Sequence, residues 1–425
     1  MPPSDSHSHT HGPDPDAPPP TPEALGLRRR AVWLMLLFLV PVALATVVGL
    51  FVLWPSGEPT RAQQAADIAL PPGTTYPEGR VVSVETYECG AGSAQSLQCA
   101  TAVVEVLEGE GKGDFQQIDL SADVVAAGVD KGDVFVLTRD AGAEGGASYG
   151  FSDYARGTPI VVLGIAFAVV VGLVARLRGL AALVGLAFAF FILFRFVLPG
   201  LLSEESPTLV SLVGASAIMF VVLYLAHGFS ARTTTALVGT LFGLTLVAVM
   251  GAIAVDVARL TGLTSEETVQ LQGFDPTLNF SGLVLAGVVV AGLGVINDVT
   301  ITQASAIWQL REVSPDLTWR QLYSRGMAVG RDHIASTVYT IVFAYAGAAL
   351  PLLLLFELYT RPVTVSLFSS AVAEEVIRTL VGAIALVLAV PLTTVIGAFF
   401  ATAASSEVGV ATDRQMTALR ARFAR

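Results

Sequence analysis

Long apolar runs separated by short polar connections dominate this chain, and one stretch near the N-terminus breaks the pattern. The runs lie at roughly 31–54, 158–176, 179–199, 207–226, 234–258, 281–303, 334–356 and 378–402. Each is long enough, at ~1.5 Å rise per residue, to cross a hydrocarbon layer of ~30 Å as an α-helix. Between Pro55 and Arg156 the period changes. Short alternating runs at Arg80–Glu88, Thr101–Glu108, Phe115–Leu120 and Val134–Arg139 are separated by Gly-rich turns and predict four or five strands. The expected fold is an all-α polytopic membrane protein of about eight transmembrane helices. It carries one small extracytoplasmic β-barrel-like, OB-like domain at 55–156, after a first transmembrane helix at 31–54. A seven-helix transmembrane domain at 158–402 follows.

Composition agrees: 53% of residues are hydrophobic, 14% are charged, and mean hydropathy is +0.67, more apolar surface than a soluble protein of this length covers. Arg28–Arg30 precede the first run, which is longer than a signal-peptide core and has no small-x-small cleavage pattern, so it is expected to stay as an anchor. Cations settle the expected orientation, because Lys and Arg are retained on the cytoplasmic side of short loops. With the N-terminus inside, Arg176, Arg178, Arg232, Arg311, Arg320, Arg325 and Arg331 and the arginines of a basic tail at 403–425 are all cytoplasmic. The opposite loops then hold only Arg259, Arg361 and Arg378, against seven acids including Glu204, Glu266 and Glu375. This predicts a bacterial plasma (inner) membrane protein with both termini cytoplasmic. The net charge of −11 argues against a nucleic-acid partner.

Residues 1–27, with Pro, Ser, Asp and His7, His9 and His11, have nothing to bury and predict a disordered cytoplasmic tail. Three flexible histidines without a carboxylate define no metal geometry. Both cysteines, Cys89 and Cys99, flank the expected turn between the first two strands, in a compartment the topology makes oxidising; a disulfide is expected there. Two thiols with no nearby His do not close a zinc tetrahedron, so no metal is expected.

Polar side chains inside the spans are few. Asp298, Thr302 and Ser305 fall at i, i+4 and i+7 and share one face of the sixth span. Asn297, Asp298 and Gln303 stand at the same expected depth as Arg331, Asp332 and His333 at the start of the next span, so the six are candidates for one hydrogen-bonded cluster. An acid near a helix centre costs ~2.5–3.5 kcal/mol in lipid. Either Asp298 is an ion-paired packing residue and Arg331 and Asp332 lie at the water interface, or Asp298 is a proton or cation site beside His333, a residue type suited to proton exchange. A lipid-headgroup or partner site is a third reading. Arg195, Asp256 and Glu375 are outer-side candidates, the first two as snorkelling or paired groups. Pro351 and Pro391 interrupt the last two spans and are candidate hinges.

Four segments carry a resemblance: Gly294-Val295-Ile296-Asn297-Asp298-Val299-Thr300-Ile301-Thr302-Gln303-Ala304, then Gly326-Met327-Ala328-Val329-Gly330-Arg331-Asp332, then Ala344-Tyr345-Ala346-Gly347 with Leu350-Pro351, then Glu375 through Leu380-Val381-Gly382 to Pro391-Leu392-Thr393. In these the chain resembles the YibE/F family of bacterial multi-pass membrane proteins, over roughly residues 30–405. The resemblance implies a membrane protein and names no substrate. A fainter likeness to SecD/SecF and resistance-nodulation-division (RND-type) permeases rests on Asn297-Asp298, Arg311-Glu312 and Thr337 with Thr340. It implies an intramembrane acid that couples proton flow to an outer domain.

The expected function is a proton- or cation-coupled permease in the lipid bilayer, with Asp298 as coupling acid. The alternative is a non-transporting scaffold or envelope sensor whose β-domain binds an envelope protein, or a homo-oligomer. No His-Glu-x-x-His, Gly-x-Ser-x-Gly or paired-aspartate motif occurs in the spans, so neither an enzyme nor a cofactor is expected.

Overall fold

The structure is a computed structural model that describes residues 22–69, 73–89, 97–141, 146–358 and 362–404. The predicted tail's His7, His9 and His11, Arg361, and the basic residues beyond 404 lie outside the described residues; residues 22–27 belong to the first helix rather than to a tail. The chain divides into two units, one of Pro59–Leu180 with Gly273–Pro276, the other of Met1–Glu58, Ala181–Gln272 and Thr277–Arg425.

The smaller unit holds helix α2 (Arg61–Ala69; α1 belongs to the larger unit), strands β1 (Glu78–Cys89), β2 (Leu97–Val106) and β3 (Phe115–Leu120), the short helix α3 (Ala122–Ala126), and strands β4 (Val134–Ala141) and β5 (Ala147–Tyr154). The sheet is antiparallel with order β3-β2-β1-β4-β5, and its two edge strands, β3 and β5, approach one another. Alternation makes the core: Ala100, Ala102, Val104 and Val106 of β2 are buried on one face, against Ile118, Leu120, Phe135 and Leu137. Phe135 meets Phe151 and Tyr154 edge-on at 5.0 and 5.3 Å. The Tyr154 hydroxyl lies 3.0 Å from the carbonyls of Val124 and Gly128, which tie α3 and the turn after it to the sheet. Burial pushes that phenol's pKa up. Cys89 and Cys99 are joined as expected, with Cα atoms 5.7 Å apart.

The helices are α1 (Pro22–Val52), α4 (Gly157–Ile192) continued by a π-helical turn (Leu193–Val197) into α5 (Leu198–Leu201), α6 (Pro207–His227), α7 (Ala231–Val257), α8 (Glu266–Phe274), α9 (Phe280–Val313), α10 (Trp319–Ala348), α11 (Leu350–Leu358), α12 (Val363–Leu367) and α13 (Ser370–Ala404). Among the described residues, six stretches are long and apolar enough to cross a membrane: Met35–Val52, Gly157–Leu201, Pro207–His227, Ala231–Val257, Phe280–Val313 and Ser370–Thr402. The two runs expected at 158–176 and 179–199 fall on one stretch, bent at Arg176, whose φ of 53° breaks the helix between them. The run expected at 334–356 falls on α10 and α11. Helix α10 starts earlier than its apolar part and, at 30 residues, is about 45 Å long.

In the larger unit the core forms where α7, α9 and α13 meet. Leu237, Leu244 and Val247 of α7, Val288, Val289 and Ile296 of α9, and Ala385 and Ala389 of α13 are buried there. Gly243 permits this approach, since a Cβ at that position would stand 2.7 Å from Ile296 Cγ2. Many apolar side chains, among them Phe190, Phe194, Phe242 and Ile253, remain exposed. Apolar surface on this scale requires lipid as its solvent, so the chain is a membrane protein.

Candidate functional site

Helix α10 runs antiparallel to both α9 and α13. Its Gly326 faces Ile307 of α9 and Thr394 of α13, and its Gly330, one turn on, faces Gln303 and Val390. A Cβ on Gly330 would lie 2.6 Å from Val390 Cγ1 and 3.1 Å from Gln303 Oε1, so only glycine lets the three helices close here. Further along, Ile334 and Ile341 pack with Val299, Leu386 and Val390. Thr318 starts α10 with a reciprocal capping box to Gln321.

These contacts enclose a set of hydroxyls and one amide. Gln303, 2% exposed, donates from Nε2 to the Gly326 carbonyl at 2.9 Å and to Thr394 Oγ1 at 2.7 Å. Thr394 in turn donates to the Val390 carbonyl at 2.6 Å. Beside them, Thr240 of α7 and Thr300 of α9 share a hydrogen bond of 2.6 Å, and either hydroxyl can be its donor. Among the described residues, buried side-chain atoms without a partner include Oδ1 of Asn297, Nε2 of His333 and Oγ1 of Thr393. A buried polar group without a partner costs roughly 1–3 kcal/mol, which makes these atoms a reservoir of unused hydrogen bonding in an otherwise packed region.

The six residues expected to cluster at this depth separate into two groups. Asn297 and His333 are half-buried and Gln303 fully buried, while Asp298, Arg331 and Asp332 are exposed, as is Thr302 beside Asp298. Among the described residues none of Asp298, Arg331, Asp332 and His333 forms a salt bridge, and Thr302 donates to the Asp298 backbone carbonyl at 2.7 Å. Helical geometry accounts for the split. Consecutive residues point about 100° apart, so Asn297 turning inward sends Asp298 outward. The face that carries Asp298 continues through Gly294, Ala291 and Gly287 at helical spacing, and a Cβ on Gly294 would meet nothing within 4 Å.

At the other end of that face, Gly287 lies beside the Arg378 guanidinium. Arg378 donates to Glu375 at 2.9 Å and to Glu374 at 3.2 Å, and Thr264, in the connection before α8, donates to the second Glu374 oxygen at 2.8 Å. Glu374 is the more enclosed carboxylate, with 12% of its side chain exposed. Tyr345 of α10 lies within electrostatic reach of Arg378 and Glu375. Sequence reasoning had Glu375 in the outer group without its partner, although the i, i+3 and i, i+4 spacing to Arg378 is a readable signal. Thr300, Thr393 and Thr394 carried no such signal, because threonine inside an apolar helix commonly bonds its own backbone; Thr264 carried none because it lies in a connection 110 positions from Glu374.

Arg195, in the π-helical turn, and Asp256, near the end of α7, are both exposed and form no salt bridge with each other among the described residues. Pro351 is the second residue of α11, past the end of α10, so it marks a helix start; Pro391 lies inside a continuous α13. Among the described residues no group of three or more His, Cys, Asp or Glu side chains is placed to hold a metal ion.

Compared with known proteins, the chain matches neither a curated protein nor a solved structure. A model of the family described as YibE/F-like protein matches residues 163–403, more than half of the 425 residues and every element of the helical site. The chain belongs to the YibE/F-like family.

Proposed function

We propose that this YibE/F-like membrane protein is a permease driven by protons or small cations, in which Asp298 is the coupling acid. One observation carries the reading. Asp298 is exposed and without a salt bridge on a helix apolar enough to span the bilayer. An ionised carboxylate facing lipid at that depth costs ~2.5–3.5 kcal/mol, so the face of Gly287, Ala291, Gly294, Asp298 and Thr302 is better suited to water or a permeating ion than to acyl chains. The opposing helix α10 supports the same reading, since His333, Ser336, Thr337 and Thr340 make it too polar to face lipid alone. His333, whose Nε2 is buried and without a partner among the described residues, is the relay group of this proposal. Arg331 and Asp332 flank it at the helix's more polar end.

In this proposal the protein sits in a bacterial inner membrane with both termini cytoplasmic and the disulfide-bearing β-domain outside, following the placement of arginines in the sequence. The order β3-β2-β1-β4-β5, the approach of β3 to β5, and α3 between β3 and β4 support an OB-like barrel. The competing reading is a scaffold or sensor without catalysis or transport, and the two hydrogen bonds donated by Gln303 Nε2 support it, because they tie α9 to α10 and α13.

Reconstitution separates the two. Wild type and Asp298→Asn are inserted into liposomes, and internal pH is followed after a membrane potential and a panel of cations are imposed. Proton movement by wild type and none by Asp298→Asn is the expected result. No movement in either, when both are folded, favours the scaffold; equal movement in both keeps a permease and removes Asp298 as its coupling acid.

A further inference from the structure

At the end of the helix trio away from Arg378, a cavity of about 270 Å³ opens between the first turn of α10 and the last turns of α13. Its lining is apolar throughout: Trp319, Val395, Ile396, Phe399 and Phe400. One polar feature borders it. The Arg320 guanidinium stands 5.6 Å from the centroid of the Trp319 ring, is exposed, and forms no salt bridge among the described residues.

We infer that this cavity is a binding site for an anionic phospholipid. The chemistry of the two features matches two parts of such a molecule. The apolar slot takes an acyl chain, and Arg320, steadied by its contact with Trp319, meets the phosphate. A zwitterionic lipid offers the same chain and ester but no net charge to Arg320. Preference for the anionic head is therefore the distinguishing property. The inference is independent of the permease reading, since its lining residues are not those of that site and its test reads no transport.

Full-length wild type, Val395→Phe and Arg320→Gln are equilibrated in vesicles of phosphatidylcholine and phosphatidylglycerol in equal parts, extracted into detergent, and examined by native mass spectrometry for retained lipid. Wild type is expected to retain phosphatidylglycerol over phosphatidylcholine by about fivefold, the preference one basic residue near a membrane surface supplies. Arg320→Gln should keep a lipid and lose the preference; Val395→Phe, which fills the slot, should keep none. Where Val395→Phe does not fold, Phe399→Trp fills the same slot. Equal retention of the two lipids by wild type, or wild-type retention by the filled variant, would overturn the site. A chain ending at Ala404 that binds phosphatidylglycerol when the full chain does not would also overturn it, because the slot would then belong to the protein's own C-terminal residues.

Discussion

Two carboxylate sites share the α9 and α13 pair, and they are built on opposite terms. At one end, Glu374 and Glu375 are held by Arg378 at 3.2 and 2.9 Å, and Thr264 takes the remaining oxygen of Glu374. Eleven residues along α9 from Gly287, which faces that arginine, Asp298 has neither a cation nor a hydroxyl donor among the described residues. The separation along the axis is about 16 Å. The same chemical group is thus locked into the structure at one point and left free at another. An acid held by a cation is costly to strip of it; an acid left unpaired on a spanning helix lowers stability unless water reaches it.

That contrast can be broken from either side. The largest effect on stability is expected from Arg378→Ala, which leaves two partly buried carboxylates adjacent and uncompensated. A loss of about 3 kcal/mol, at the low end for a broken buried pair because 24% of the Arg378 side chain is exposed, should lower the midpoint of thermal unfolding in detergent clearly. Glu374→Gln keeps the Glu375 bridge and the shape of the site, so a smaller loss of about 1.5 kcal/mol is expected in the same measurement. Thr264→Val removes one hydrogen bond to a charged acceptor and should cost about 1 kcal/mol, read as faster amide exchange in the connection before α8. Asp298→Asn should change stability by less than about 0.5 kcal/mol, the range of substitutions that disturb no packing or pairing. A loss at Asp298 as large as that at Arg378 would erase the distinction between the two sites.

How much of this was readable in the sequence depends on the range of the forces involved. Lipid demands long apolar runs, so the spans were legible, and β2 was legible because its buried face alternates residue by residue. The fifth strand was harder to name, since Ala147–Tyr154 includes Gly150, Ser152 and Asp153, residues of low strand preference. The break at Arg176 lies between two expected spans, where non-helical backbone at a single residue parts the helices without an intervening loop. In the site, the period-3.6 face of Asp298 and Thr302 was visible locally. The pairing of Gln303 with Thr394 was not, because it joins residues 91 positions apart and depends on how Gly326 and Gly330 let α10 approach. The expected grouping of Asp298 with Arg331 relied on shared depth alone, and depth leaves open which way each side chain turns.

The account turns on whether Asp298 meets water, and an introduced thiol reads that directly. The only two cysteines in the sequence are joined to each other, so Asp298→Cys would carry the protein's single free thiol without further engineering. In sealed vesicles of both orientations, a membrane-impermeant thiosulfonate is expected to label Asp298→Cys from at least one side. Phe242→Cys, at an exposed apolar position of α7, should stay unlabelled from both. Failure of Asp298→Cys to react from either side, as for Phe242→Cys, would place Asp298 against lipid or a partner and contradict its role as a coupling acid.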